Sequence, residues 1–268
     1  MIDRGKRSIL GVDVDVVDYE GAVEKIIAAA RARRPFGVSA LAVHGVMTGA
    51  LDPEHLYRLN RLDLVTPDGQ PVRWALRWLH GEKLPARVSG PELMELVCES
   101  AAENGLPVYL YGSRPEVLDK LRSNLMRRYA GLRIAGAEPS RFRTLSADED
   151  AELDARIRNS GARIVFVGLG CPRQEVFVFE HAEALGMPAL AVGAAFDFHA
   201  GTVTRAPHWM RSAGLEWLFR LLQDPKRLWR RYILLGLLFL FMIIEQASGF
   251  RGQISYEQRA PSGKLRLG

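Results

Sequence analysis

Short apolar runs alternate with amphipathic stretches along residues 1–200, and few folds accept that alternation. Runs at 8–16, 37–43, 63–66, 107–111, 132–136, 163–168 and 188–193 read as strands. Helical periodicity occupies 19–33, 53–60, 70–79, 90–104, 115–129, 148–159 and 173–186. Glycine or proline marks most joins, as in Gly105-Leu106-Pro107 and Gly186-Met187-Pro188. Strand, helix, strand, helix in this order predicts an α/β fold, with a Rossmann-like, mostly parallel sheet flanked by helices. Such sheets bind ligands outside the carboxyl ends of their strands. That nominates four segments as loops: "VHGVMTG" (43–49), "TPDGQP" (66–71), "YGSRPE" (111–116) and "VGLGCPRQE" (167–175).

Beyond residue 200 the alternation stops and the pattern is helical only, which divides the chain into an α/β catalytic domain (1–200) and an all-helical C-terminal appendage (201–268). Asp224-Pro225 reads as an N-cap followed by proline at the first helical position. Arg227, Arg230 and Arg231 then share a helix face. Between residues 205 and 231 seven Lys or Arg stand against two acids, Glu216 and Asp224, an excess equal to the net charge of +5 of the whole chain. So local a basic surface implies an anionic partner: nucleic acid, phospholipid or a phosphorylated substrate. The apolar run Ile233–Ile244 is shorter than the roughly 20 residues a spanning helix needs. It reads as a core or dimer helix, or as an interfacial helix on an anionic membrane with the arginines at headgroup level. The adjacent basic block favours the membrane surface.

With 48% hydrophobic and 25% charged residues, the chain of 268 residues is globular rather than disordered. Cys98 and Cys171 are too few for a disulfide framework. The N-terminus lacks an apolar signal region, so the expected location is cytoplasmic.

The candidate chemistry is unequal in weight. Gly168 and Gly170, at a strand end before Pro172, suit a phosphate against a helix N-terminus. Tight-turn glycines explain them equally well, and neither a third fingerprint glycine nor a Walker lysine follows. Gly112 and Ser113 repeat the design, with Ser113 as an N-cap or a ligand contact. Asp13 and Asp15 imitate a metal-binding pair, but strand alternation puts both on one exposed face, a structural role. The six histidines show no metal-ligand spacing, so no metal is expected. Cys171 has no evident base partner and reads as structural. Asp68 follows a proline and precedes a glycine, which is turn chemistry. Its place at a strand's carboxyl end, with Arg87 following, also suits a base that deprotonates a hydroxyl while cations hold an anionic leaving group.

Six motifs in order carry a resemblance: "TPDG", "RVSGPEL", "YGSRPE", "VGLGCPRQE", "VGAAFDFHAGTVTRAPHWM" and "GLEWLFRLLQDPKRLWRRY". Together they resemble the WecG/TagA/CpsF glycosyltransferases across residues 8 to 235. The resemblance implies inverting, metal-independent transfer, without a cofactor, from a UDP-sugar to an undecaprenyl-diphosphate-linked sugar in surface polysaccharide biosynthesis. By position, Asp68 is then the general base. Thr66, Arg87, Gly112, Ser113, Gly168, Gly170, Gln174 and Glu175 fall at the donor site. Arg220, Arg227 and Arg230, with Arg231 as a substitute, grip the acceptor diphosphate. Family members often carry Thr-x-Asn near the second strand, where this chain has "LAVHGVMTG"; His44 and Thr48 are the nearest polar candidates. N-acetylmannosamine, its uronic acid and glucose are all compatible donors. The implied location is the inner face of the cell membrane, peripherally bound, and a homo-oligomer is compatible with it. Two other classes stay open: a non-enzymatic nucleotide- or nucleic-acid-binding protein using the basic segment, and a membrane scaffold. Nothing in the chain resembles a base-stacking platform or a groove-reading motif.

Overall fold

A computed structural model describes residues 1–249 and 256–268; the part of the C-terminal stretch at 250–255 lies outside the described residues. The chain opens on a hairpin of β1 (Asp3–Ile9) and β2 (Val12–Val17), paired antiparallel. The expectation of one strand over 8–16 is thereby corrected. Leu10 and Gly11 both take positive φ, 50° and 80°, as a two-residue hairpin turn requires, and they reverse the chain inside the apolar run.

The main sheet follows: α1 (Tyr19–Ala32), β3 (Phe36–Leu41), α2 (Val43–Leu51), α3 (Pro53–Leu59), β4 (Leu64–Pro67), α4 (Gln70–His80) and α5 (Gly90–Glu103). It continues through β5 (Val108–Gly112), α6 (Pro115–Arg128), β6 (Ile134–Glu138), α7 (Ala147–Asn159), β7 (Ile164–Gly168), α8 (Arg173–Leu185), β8 (Pro188–Ala191) and α9 (Ala195–Ala200). The six strands β3 to β8 form one sheet in the order β4-β3-β8-β7-β5-β6, and every pairing is parallel. Alternate side chains feed opposite cores, because successive residues of a strand point to opposite faces. Val165 and Val167 pack with α2, α3, α4 and α8, whereas Ile164 and Phe166 pack with α1, α5, α6 and α9. The α/β, Rossmann-like expectation holds.

The hairpin closes the β4 edge. Asp15 is 2% exposed and its Oδ2 accepts the β4 amide of Val65 at 2.7 Å, which corrects the expectation of an exposed face. A buried carboxylate there satisfies an edge N–H that would otherwise be open to another strand. Burial pushes its pKa up.

The helices that follow are α10 (His208–Ser212), α11 (Glu216–Gln223), α12 (Pro225–Trp229), a π-helical turn (Arg230–Leu234) and α13 (Leu235–Ser248). As expected, Asp224 caps α12, accepting from the Arg227 amide at 3.3 Å, with Pro225 opening the helix. α13 buries only Phe239 and Ile243 against the body, beside α2 and α4, and leaves Leu237, Phe241 and Ile244 exposed. Among the described residues no helix is long and apolar enough to cross a membrane. Residues 256–268 return along the α/β body, where Leu267 bridges Thr144.

Candidate active site

The carboxyl ends of the parallel strands open into a cavity of about 1090 Å³, lined among others by Leu41, Asp68, Ser113, Gly168 and Val192. Segment 43–49, expected as a loop, is the first turns of α2; its N-terminus at Val43 and His44 faces the cavity. Gly45 admits Leu41, whose side chain lies 2.3 Å from where a Cβ would stand, and Gly49 likewise admits Leu59.

Asp68 is fixed by its own backbone. Its amide donates to the carbonyls of Leu41 (3.1 Å) and Thr66 (3.0 Å), tying the ends of β3 and β4 together. Its Oδ2 accepts weakly from the Gly90 amide at 3.4 Å. Thr66 is buried, and its hydroxyl donates to the Val88 carbonyl at 3.0 Å. The Val88 amide in turn donates to Pro67 at 3.0 Å. These two bonds carry residues 85–88 back to the end of β4 and put Arg87 beside Asp68. Thr66 therefore acts by holding Arg87's segment and is not among the lining residues. Gly90 completes the join, since a Cβ there would stand 2.5 Å from the Val192 carbonyl oxygen.

Burial pushes the Asp68 carboxyl up to about 6; Arg87 opposes the rise and Glu216 adds to it. Glu216 comes from α11 and forms an ion pair with Arg87. A second set of pairs runs alongside: Arg205 to Glu92 at 2.5 Å, Arg211 to Glu92 at 2.7 Å, and Arg205 to Glu216 at 3.8 Å. Burial works against ionisation of Glu92, but Arg205, Arg87 and Arg211 outweigh it and hold its pKa low. These pairs latch α10 and α11 onto the start of α5, beside Asp68. Sequence reasoning counted Glu216 only as charge, and no local signal distinguishes it.

Both glycine loops lie at strand carboxyl ends; Ser113, Gly168 and Gly170 line the cavity, and Gly112 does not. Gly112 has φ 111° and packs on the Gly168 carbonyl; a Cβ on Gly168 would meet the Phe196 ring at 2.6 Å. Gly170, at φ 77°, has open space where a Cβ would stand. Ser113 is not an N-cap: Arg114 holds that position of α6, while Ser113 lines the cavity at φ 62°. Gln174 and Glu175 reach the lining, yet their polar atoms are largely committed. Gln174 accepts from the Gly193 amide at 3.0 Å and donates to Glu175 at 2.8 Å. Glu175 also accepts from Ser39 at 3.1 Å, and burial raises its pKa. Gln174 thus ties the loop after β7 to the loop after β8. Cys171 is held protonated by burial, with Glu175 reinforcing, in keeping with a structural thiol.

Of the basic residues, Arg220, Arg227 and Arg231 line the cavity. Arg230 does not: its guanidinium lies 5.4 Å from the Trp229 ring centroid. The π-helical turn starts at Arg230 and shifts the spacing on which a shared face for Arg227, Arg230 and Arg231 depends. Arg231 stands near His44, and burial together with that charge pulls the imidazole down to about 4, so it is neutral at pH 7. His44 Nδ1 is buried without a partner. Thr48 is otherwise engaged: its hydroxyl donates to the His44 carbonyl at 2.8 Å, within α2.

One cluster escaped the search for metal spacing. Asp150, Asp154 and His181 converge from α7 and α8, an arrangement that linear spacing does not show. The Lys264 ammonium stands 2.6 Å from Asp150, so a cation already occupies the place. The cluster is outside the cavity.

A parallel α/β sheet whose strand ends carry a carboxylate, flanking arginines and glycine loops suits group transfer on an anionic, phosphate-bearing substrate. The sequence matches the profile of the glycosyl transferase WecG/TagA/CpsF family over residues 7–253. The chain belongs to that family, and is a glycosyltransferase of cell-surface polysaccharide biosynthesis that uses a nucleotide-sugar donor and a sugar acceptor.

Proposed function

We propose that the protein moves a hexose-type sugar from a UDP-sugar to a sugar carried on a polyprenyl diphosphate, with inversion and without a metal ion. One observation carries this reading: Asp68, raised to about 6, stands beside Arg87 in a cavity that Arg220, Arg227 and Arg231 also line. A base of that pKa is ionised at neutral pH yet basic enough to take a proton as the bond forms. The acceptor oxygen attacks the anomeric carbon while its proton passes to Asp68. The bond from that carbon to the diphosphate oxygen breaks, and UDP departs with the electron pair. Arginines neutralise the departing diphosphate, a task their forked donors suit. Arg87 is held by Glu216 in the free protein, so an incoming diphosphate competes with a carboxylate for the same guanidinium.

The donor loops are those of Gly112-Ser113 and Gly168–Gly170. His44, neutral and with a free buried nitrogen, serves as a hydrogen-bonding group for a sugar hydroxyl. The enzyme works at the inner face of the cell membrane. Asp68→Asn removes the base and keeps the shape. Transfer, followed by mass detection of product, is expected to fall by about 10²–10⁴-fold, while UDP binding by calorimetry persists. Wild-type turnover in this variant rules out the assignment.

A further inference from the structure

The cavity changes chemistry along its length. Near Asp68 it is lined by arginines; between α4 and α13 its walls are Trp74 and Trp78 on one side and Gly236, Leu240 and Ile243 on the other. Among the described residues, those of α4 and α13 that line the cavity carry no charge. The two tryptophan rings lie 6.5 Å apart and nearly parallel, one helical turn from each other. Trp74 is 44% exposed and Trp78 59%, an unusual state for side chains of that size. α13 leaves a stretch of its surface unpartnered beside them: Leu237 (63%) and Phe241 (57%) face outward past the groove. At Gly236 there is nothing within 4 Å of where a Cβ would stand.

We propose that this α4–α13 groove seats the apolar chain of a lipid diphosphate, holding the isoprenoid units next to the diphosphate. The inference rests on the acceptor reading above. Charge complementarity selects the occupant: Arg227 and Arg231 line the same cavity and take a diphosphate, so the chain attached to it enters the uncharged stretch between α4 and α13. The groove then delivers the chain to the exposed face of α13 without passing it through water, whose contact with apolar surface is unfavourable. A free sugar phosphate satisfies the arginines and leaves this groove empty. The tryptophans are the specificity element for a chain-bearing acceptor over a soluble one.

The test compares two acceptors with the same sugar diphosphate, one on a long prenyl chain and one on a chain of a few carbons. Gly236→Trp fills the groove from one wall, and Leu240→Trp does so from the neighbouring turn. Both are expected to lower the long-to-short ratio of kcat/KM on the order of tenfold, the equivalent of one apolar group's burial. Because the ratio is read, general damage to the fold cancels. A ratio that stays at the wild-type value in both variants overturns the proposal, whatever the overall activity.

If the wild type transfers to neither acceptor, the acceptor reading has failed, and binding decides the groove by itself. A long-chain alkyl diphosphate brominated near its head, in detergent, should quench tryptophan emission in the wild type. Most of that quenching should vanish in a Trp74→Phe, Trp78→Phe double variant. Undiminished quenching there overturns the groove. So does equal quenching by brominated phosphatidylglycerol vesicles that unlabelled alkyl diphosphate does not compete away, since that marks contact with bulk membrane.

Discussion

At Asp68 two electrostatic demands oppose each other. Burial favours the neutral acid and Arg87 favours the anion, while Glu216, across Arg87, adds a second negative charge. The resulting value near 6 places the acid limb of kcat/KM close to that pH, with activity falling as Asp68 protonates. Glu216→Gln removes the like charge and leaves Arg87 facing Asp68 alone. The limb should move to lower pH, which a rate profile between pH 4.5 and about 8 resolves. An unmoved limb assigns it to another group. Stability carries the opposite sign from the usual salt-bridged carboxylate. The folded pKa lies above the ordinary aspartate value of 3.8, so ionisation costs stability as pH rises from about 4 to about 6. Asp68→Asn should therefore melt higher than wild type at pH 8, with the difference shrinking at pH 4, as read by thermal unfolding. A variant that is less stable at pH 8 would mean that Arg87 needs Asp68 more than burial penalises it.

Elements bring these residues together, and much of that was legible beforehand. All six strands of the main sheet were foreseen, because each is a short apolar run bounded by glycine, proline or a polar cluster. The hairpin was not, since Leu10-Gly11 sits inside one apolar run and only the positive φ of both residues marks a turn. The sequence of α2 hides its helix, because its glycines, there to admit Leu41 and Leu59, look like breakers. The site was legible as motifs but not as contacts. Thr66 and Gln174 lie in the nominated segments, yet Thr66 donates to the Val88 carbonyl, and Gln174 accepts from the Gly193 amide and donates to Glu175. Arg230 shows the limit of helical spacing, because the π-helical turn that displaces it has no sequence signature. From this, Arg227→Ala and Arg231→Ala should impair use of a diphosphate acceptor, while Arg230→Ala leaves it near wild type, in initial rates at subsaturating acceptor. Equal losses in all three would restore the regular face. The glycine contact between β5 and β7 makes a separate demand. Gly112→Ala puts a Cβ 2.9 Å from the Gly168 carbonyl group at a φ of 111°. The cost should be about 1–3 kcal/mol in urea unfolding, from backbone strain and overpacking together.

For the whole molecule, what matters is that the last basic residues of that excess, Lys226 to Arg231, and the bare apolar face belong to one continuous helical segment, 225–248. Lys226 and Arg230 are exposed just ahead of α13, whose outward side chains include Leu237, Phe241 and Ile244. An apolar face of this kind on a monomer marks an interaction surface, and basic residues beside it match an anionic lipid headgroup layer. Each Lys or Arg near such a surface contributes about 1 kcal/mol, and this contribution is screened by salt, whereas the apolar part is not. The two parts can be separated by experiment. The protein should sediment with phosphatidylglycerol vesicles and much less with phosphatidylcholine vesicles, and raising the salt should weaken the first more than the second. Phe241→Glu places a charge at a position that is 57% exposed, so the fold has little reason to respond. That variant should lose vesicle binding at all salt concentrations while its melting temperature stays within a few degrees of wild type. Lys226→Gln with Arg230→Gln should instead lose only the salt-sensitive share. If Phe241→Glu still sediments as wild type does, α13 does not meet the bilayer, and its apolar face then covers another protein surface, such as a second copy of this chain.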